Sequence, residues 1–186
     1  MQPDIHPSTT NPDLLAPLLA DHELARKVLD AMVSKVHQPD RAQAFDLLFW
    51  RAVLRFFGDY FDAIHHPVEE QILVPLLSKQ GYAQPHLATD QMVREHQRML
   101  PCRRHLQNAV HVQSEPRISA SVRTFVNMHR AHMDLEERHV FPIARAVLNA
   151  VDQQDFRDGL AALERTDIRQ ARKRAEQIAG SICNTV

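Results

Sequence analysis

The sequence predicts an all-α protein: an up-down-up-down four-helix bundle with a C-terminal helical extension. Three observations predict it. Glycine occurs only 4 times in 186 residues, too few for a β-rich fold with many tight turns. Apolar residues recur at steps of three and four along four long stretches. The links between those stretches are short, polar and proline-bearing, which sets neighbouring helices side by side in opposite directions.

Residues 1–12 are polar and proline-rich without periodicity, and are expected to be disordered. Asn11-Pro12-Asp13 reads as a helix start, with a capping side chain, a proline at the first helical position and an acid in the first turn. Leu15, Leu18, His22, Leu29, Met32 and Val36 follow at helical spacing until Gln38-Pro39-Asp40 breaks the pattern. The second stretch runs from about Arg41 to Gln80, and Gly81 is its stop signal. Pro67 and Pro75 lie inside it, so a kink or local break is expected there. Gln84-Pro85 opens a third helix reaching Val112, and Ser114-Glu115-Pro116 precedes a fourth from Arg117 to Val151. Two polar helical segments, Gln153 to Glu164 and Asp167 to Ala179, close the chain. The expected organisation is a bundle over 13–151 and an extension over 152–186.

Composition excludes several roles. The chain is 44% hydrophobic and 24% charged with a formal net charge of -1, which argues against binding nucleic acid or a membrane surface through bulk charge. Two cysteines, Cys102 and Cys183, cannot build a disulfide framework. The first residues lack the basic and apolar parts of a signal peptide, and no apolar run approaches the ~20 residues that span a bilayer. A cytoplasmic location is expected. A glycine-rich phosphate loop, a nucleophile elbow and a Cys-x-x-Cys pair are all absent from the sequence, so nucleotide, hydrolase and thiol-redox functions find no support. Histidine is abundant instead, at 12 residues, and imidazole is the commonest metal ligand among side chains.

The histidines lie in a repeat. The second helix reads His65-His66-Pro67-Val68-Glu69-Glu70-Gln71-Ile72-Leu73-Val74-Pro75, and the fourth reads His132-Met133-Asp134-Leu135-Glu136-Glu137-Arg138-His139-Val140-Phe141-Pro142. The leading histidine, both glutamates and the later proline match at one constant offset. Asp21-His22-Glu23 on the first helix corresponds to Glu95-His96-Gln97 on the third. The chain is therefore two copies of one unit: a His on one helix and His-x-x-x-Glu on the next.

Residues four apart lie on one helix face, about 6 Å apart along the axis. His65 with Glu69, and His132 with Glu136, therefore both point into a bundle. On the fourth helix Phe125, His129, His132, Glu136, His139 and Ile143 form one stripe. A core-facing stripe with a polar middle is costly unless its groups have partners. With His22 and His96 arriving from the other helices, a metal pair resolves that cost. Nitrogen plus carboxylate ligands suit iron in preference to manganese or zinc. A ferritin-like site would use Glu-x-x-His in the opposite order, and no such inward pair repeats.

These residues resemble the hemerythrin-like (HHE cation-binding) family over about 14–151. The resemblance implies a four-helix bundle around two non-haem iron ions bridged by carboxylates. By it, His22, His65, His96 and His132 are terminal metal ligands, and Glu69 and Glu136 bridge the metals. The implied function is to bind oxygen, nitric oxide or iron for sensing, scavenging or storage. In the oxygen-carrying members the third helix bears two ligating histidines four apart, whereas His96 here has Met92 and Leu100 as those neighbours. Two six-coordinate irons need about twelve donors, and this set with an oxo bridge supplies about ten. Two open positions would favour an enzyme turning over peroxide or nitric oxide, unless His129, one turn before His132, is the extra ligand. A metal-free helical adaptor is the third reading. His66, Glu70 and Glu137 read as flanking groups, since one helical step turns each ~100° from a ligand. His139 reads as structural, and the basic face of Arg169, Arg172 and Arg174 as solvated.

Overall fold

The computed structural model describes residues 13–37, 45–82, 87–163 and 169–185, and among them every regular element is helical. The expected disorder of 1–12 and the breaks at Gln38-Pro39-Asp40 and Gln84-Pro85 lie outside the described residues. Helix α1 is Ala16–His37, with Leu18, Ala25, Val28, Leu29 and Met32 buried and Asp21 and His22 in the middle of the same face. Helix α2 (47–79) starts at Asp46, whose side chain accepts the Phe49 N–H at 3.0 Å and so satisfies one free helix donor. Gly81 follows its end with a φ of 85°, a conformation open to glycine at little cost.

The prolines inside α2 do not interrupt its helical run over 47–79. The helix widens instead, with π turns at Phe57–His65 and Glu69–Leu73 interleaved among α segments. Each π turn ends just ahead of a proline: the His66 N–H reaches back to the Phe61 carbonyl before Pro67, and the Val74 N–H to that of Glu69 before Pro75. Proline lacks an N–H and crowds the carbonyl four residues earlier. Shifting the preceding residues to i→i+5 bonding accommodates the ring without losing the rod, and such bulges cluster at functional sites. Pro101 sits inside α3 (Ala88–His111) without a π turn.

Helix α4 (115–147) repeats the device at Glu136–Val140, where the Phe141 N–H reaches the Glu136 carbonyl just before Pro142. It stops at Val147, short of the expected Val151, because Leu148 turns to an extended conformation. Asn149 then caps α5 (Ala150–Leu163): its side-chain oxygen accepts the N–H groups of Val151 and Asp152, while the Asp152 carboxylate accepts the Asn149 N–H. This reciprocal box, with Asp in the place of Glu, was the signal for the stop. Helix α6 is Arg169–Cys183.

Helix α3 packs along α4, α4 against α1, and α6 against α1 and the start of α2. The buried apolar residues form two bodies. One, around Phe49, Phe56, Phe57, Phe61, Val122 and Phe125, is joined by Ala175, Ala179 and Ile182 of α6. The other gathers Leu15, Leu73, Leu77, Met92, Phe141 and Phe156. Both reach the same buried polar layer. Phe61 lies 4.6 Å from the His65 ring, and Phe141 stacks on His22 at 5.5 Å.

Candidate metal centre

The polar layer is dry. His22, His65, His66, Glu69, His96, His129, His132 and Glu136 are all at most 7% exposed. Four helices supply them: His22 from α1, the 65–69 run from α2, His96 from α3 and the 129–136 run from α4. Ligand-capable atoms of His22, His65, Glu69 and Glu136 lie within 4.8 Å of one another, as do those of Glu69, His96, His132 and Glu136. The two carboxylates belong to both groups.

Their oxygens divide in a consistent way. Glu136 places one oxygen 3.1 Å from His22 Nε2 and the other 2.9 Å from His132 Nε2 and 3.7 Å from His96 Nε2. Glu69 places one oxygen 3.4 Å from His65 Nε2 and the other 3.4 Å from His96 Nε2. Each carboxylate therefore spans from one group to the other. Close as these contacts are, none aligns as a hydrogen bond, so all four carboxylate oxygens and His22 Nε2 are buried without a hydrogen-bond partner. Such orphans cost about 1–3 kcal/mol each, and more when charged.

Behind the histidines stands a ring of acids. Glu137 faces His22 Nδ1 at 2.8 Å, Asp21 faces His65 Nδ1 at 3.2 Å, Glu70 faces His96 Nδ1 at 2.7 Å, and Glu95 faces His132 Nδ1 at 3.0 Å. An acid at Nδ1 holds the proton there and turns the Nε2 lone pair inward, the usual support of a metal-bound imidazole. The pattern follows the repeat. Asp21 and Glu95, each just before the first-unit histidine, back the His of their own copy, while Glu70 and Glu137 cross to the His of the other. The flanking role expected of Glu70 and Glu137 is thus a specific one.

His66 differs from the expectation. It was read as a group turned away from the ligands, yet it is 5% exposed, stacks on His96 at 4.0 Å, and joins His96 and His132 in a third cluster of metal-ligating atoms. Helix α2 has neighbours on two sides, so its inward arc is wide enough for consecutive residues. His65 turns toward His22, 5.1 Å away between ring centres, and His66 toward α3. An acid stands behind this histidine too: Asp62 is 3.8 Å from His66 Nδ1 and accepts from Arg103 at 2.6 Å. The corresponding position in the second copy is Met133. The adjacent pair His65-His66 before a proline was the signal available in the sequence.

His129, the expected extra ligand, lies in none of the clusters. It packs between Phe57 and Phe125, at 4.8 and 4.0 Å, and its Nδ1 donates to the Phe125 carbonyl at 2.9 Å. Burial lowers its pKa to about 3, the Phe125 carbonyl opposes the shift, and His132 and His96 add to it. It is a neutral core histidine. His139, expected on the inward stripe, is exposed, because the π turn that starts at Glu136 shifts the register and buries Val140 instead.

Electrostatics make the layer a cation trap. Burial lowers His22, His96 and His132, but the carboxylates outweigh it and raise them to about 9, 11 and 8. Burial raises Glu136, yet the three imidazoles hold it well below the usual carboxylate range. His66 is pushed down by burial and by its charged neighbours. His96 Nε2 and His132 Nε2 face each other at 2.9 Å. With both Nδ1 atoms committed to acids, two inward lone pairs meet, and only a shared proton or a metal cation reconciles them. Protons therefore stand in for metal in the metal-free chain. His22, His96 and His132 all titrate above pH 7, so these protons are held at neutrality. Metal uptake is expected to expel about two to three protons per chain, three when His96 and His132 each carry one and two when they share one. Titration calorimetry in buffers of different ionisation heat measures the number; uptake without proton release contradicts this charge assignment.

Fold and site together define a helical cation-binding protein whose histidines and glutamates are arranged for metal. The model of the hemerythrin HHE cation-binding domain matches residues 13–144, and the chain belongs to that family. No curated protein and no solved structure gives a significant match. Among the described residues no helix is long and apolar enough to cross a membrane.

Proposed function

We propose that the four long helices form an up-down-up-down bundle holding two iron ions, and that the protein reversibly binds a small diatomic ligand, dioxygen or nitric oxide, for sensing or scavenging. The observation that carries this reading is the split of five inward imidazoles, two and three, about a shared pair of carboxylates. His22 and His65 would hold one iron, His66, His96 and His132 the other, with Glu69 and Glu136 bridging. Iron suits this mixed nitrogen and carboxylate set better than manganese or zinc. Bound there, the pair would supply two redox equivalents and a coordination position for the ligand.

Donor counting favours the binding reading over the enzymatic one. Five imidazoles, two carboxylates and a bridging oxygen would supply about eleven of the twelve donors that two six-coordinate irons take. The His22 and His65 side has the fewer imidazoles, because Met133 stands where a sixth would be. The chain's own part there is to keep the site dry and fixed. Phe141 covers His22, Phe61 covers His65, and Glu137 and Asp21 hold both rings in one tautomer. Turnover of peroxide rested on two open positions, and His66 removes one. A metal-free adaptor has no use for four orphaned carboxylate oxygens. Cys102 and Cys183 are free, in keeping with a reducing cytoplasm.

The test is elemental analysis of protein produced with ample iron, followed by optical titration of the reduced protein with dioxygen and with nitric oxide. About two irons per chain and an absorption change reversed on removing the gas are expected. Near-zero transition metal after reconstitution overturns the reading.

A further inference from the structure

Two of the acids behind the histidines, Glu95 and Asp21, differ in burial and in what stands behind them. Glu95, behind His132, is 20% exposed along its side chain and accepts a hydrogen bond from Gln91 Nε2 at 2.8 Å. Asp21, behind His65, is 4% exposed and fully engaged. Its Oδ1 accepts the Tyr60 hydroxyl proton at 2.8 Å, and its Oδ2 faces His65 Nδ1 at 3.2 Å and accepts from an Arg172 guanidinium nitrogen at 3.2 Å. Arg172 Nε also donates to the Tyr60 oxygen at 2.8 Å, so the donors run in one closed chain. Tyr60 is 2% exposed.

Arg172 belongs to α6, beyond the family match that ends at residue 144. Ala175, Ala179 and Ile182 anchor that helix in the core around α1 and α2. A small cavity reaching His65 and Asp21 is bordered by Leu18, Val68, Leu160 and Arg172, so α5 and α6 close the outer side of this half. A buried carboxylate is costly to keep ionised without a cation.

We propose that Arg172 of the C-terminal helix is a positioning residue for the metal at the His22 and His65 position. It acts through Asp21 on the orientation of His65. The inference rests on the two-metal reading above and adds to it a control exerted on one metal only, from outside the matched domain.

The experiment follows release of ferrous iron from the loaded full-length chain to excess chelator, without oxygen. In Arg172→Gln one of the two equivalents leaves about 10–100-fold faster than in the native chain, while the other keeps its rate. Arg172→Lys restores part of the difference, and Arg174→Gln, on the same helix, leaves both equivalents unchanged. Tyr60→Phe keeps the ring in the core and deletes only the hydroxyl link; it accelerates the same equivalent by a smaller factor, and it decides the matter if Arg172→Gln does not fold. Equal acceleration of both equivalents reveals a merely structural helix and overturns the proposal, as does unchanged release. A native chain that takes up no iron pair overturns the underlying reading instead, a result recognisable before any variant is made.

Discussion

Glu136→Ala is expected to abolish loading at both metal positions, taking the chain from about two metals to near none. The reason is the placement of its two oxygens, one beside His22 and the other beside His132 and His96. A terminal ligand serves one metal, and its loss leaves the other held. A carboxylate that spans both groups is lost from both at once. Glu136→Gln is the sharper form of the test, because it keeps volume and shape while removing the charge and turning one of the two acceptor oxygens into an NH2 donor. In the metal-free state that charge is neutralised by imidazoles raised above neutrality, so the variants also let those imidazoles return toward their ordinary range. Elemental analysis with circular dichroism separates the outcomes. A folded variant that still holds two metals contradicts the bridging role, and one that holds a single metal reduces Glu136 to a terminal ligand.

His66→Leu and His129→Leu are expected to part company. Both residues are buried histidines near a ligand, and sequence spacing ranks them the other way round: His129 lies one turn before His132 on the stripe, while His66 is one helical step from His65 and reads as turned away. His66 joins His96 and His132 in a cluster and has Asp62 behind it, while His129 is closed against Phe57 and Phe125 and bonds its own helix. His66→Leu should weaken the metal at the His96 and His132 position by more than about 100-fold, beyond the ~10–100-fold that loss of an outer support costs. On the two-iron reading it should also open a second coordination position and so raise any turnover of peroxide above that of the native chain. His129→Leu trades one buried ring for an apolar group of similar size, at a cost of under about 1.5 kcal/mol, and leaves metal affinity unchanged. Competition against a chelator of known affinity measures both. Equal losses would return His129 to the ligand set, and no loss in either would remove His66 from it.

The contrast also says how much of the centre was legible in the chain. The four histidines and two glutamates that the spacing selected meet in one buried layer, because a four-residue step keeps His65 with Glu69 and His132 with Glu136 on one face whatever the rest of the helix does. Spacing failed where the helix was no longer an ordinary α-helix or where its inward arc was wide. The π turn from Glu136 carries His139 out to solvent. The flanks of α2 let adjacent residues both face inward, so His66 joins the layer that a strict periodicity denied it. Asn149 ends α4 early through a capping box that an apolar pattern cannot register.

The sequence by itself determined the helical class, the doubled His and His-x-x-x-Glu unit and the acids placed beside it, because these depend on residues near one another along a helix of fixed pitch. Only the tertiary structure decided which acid backs which histidine, that Glu69 and Glu136 each span both groups, and that Arg172 reaches Asp21 across more than a hundred residues of chain. Those are relations between helices. They are set by how the apolar faces pack against one another, a choice made by burial over the whole molecule and not by any local run of residues.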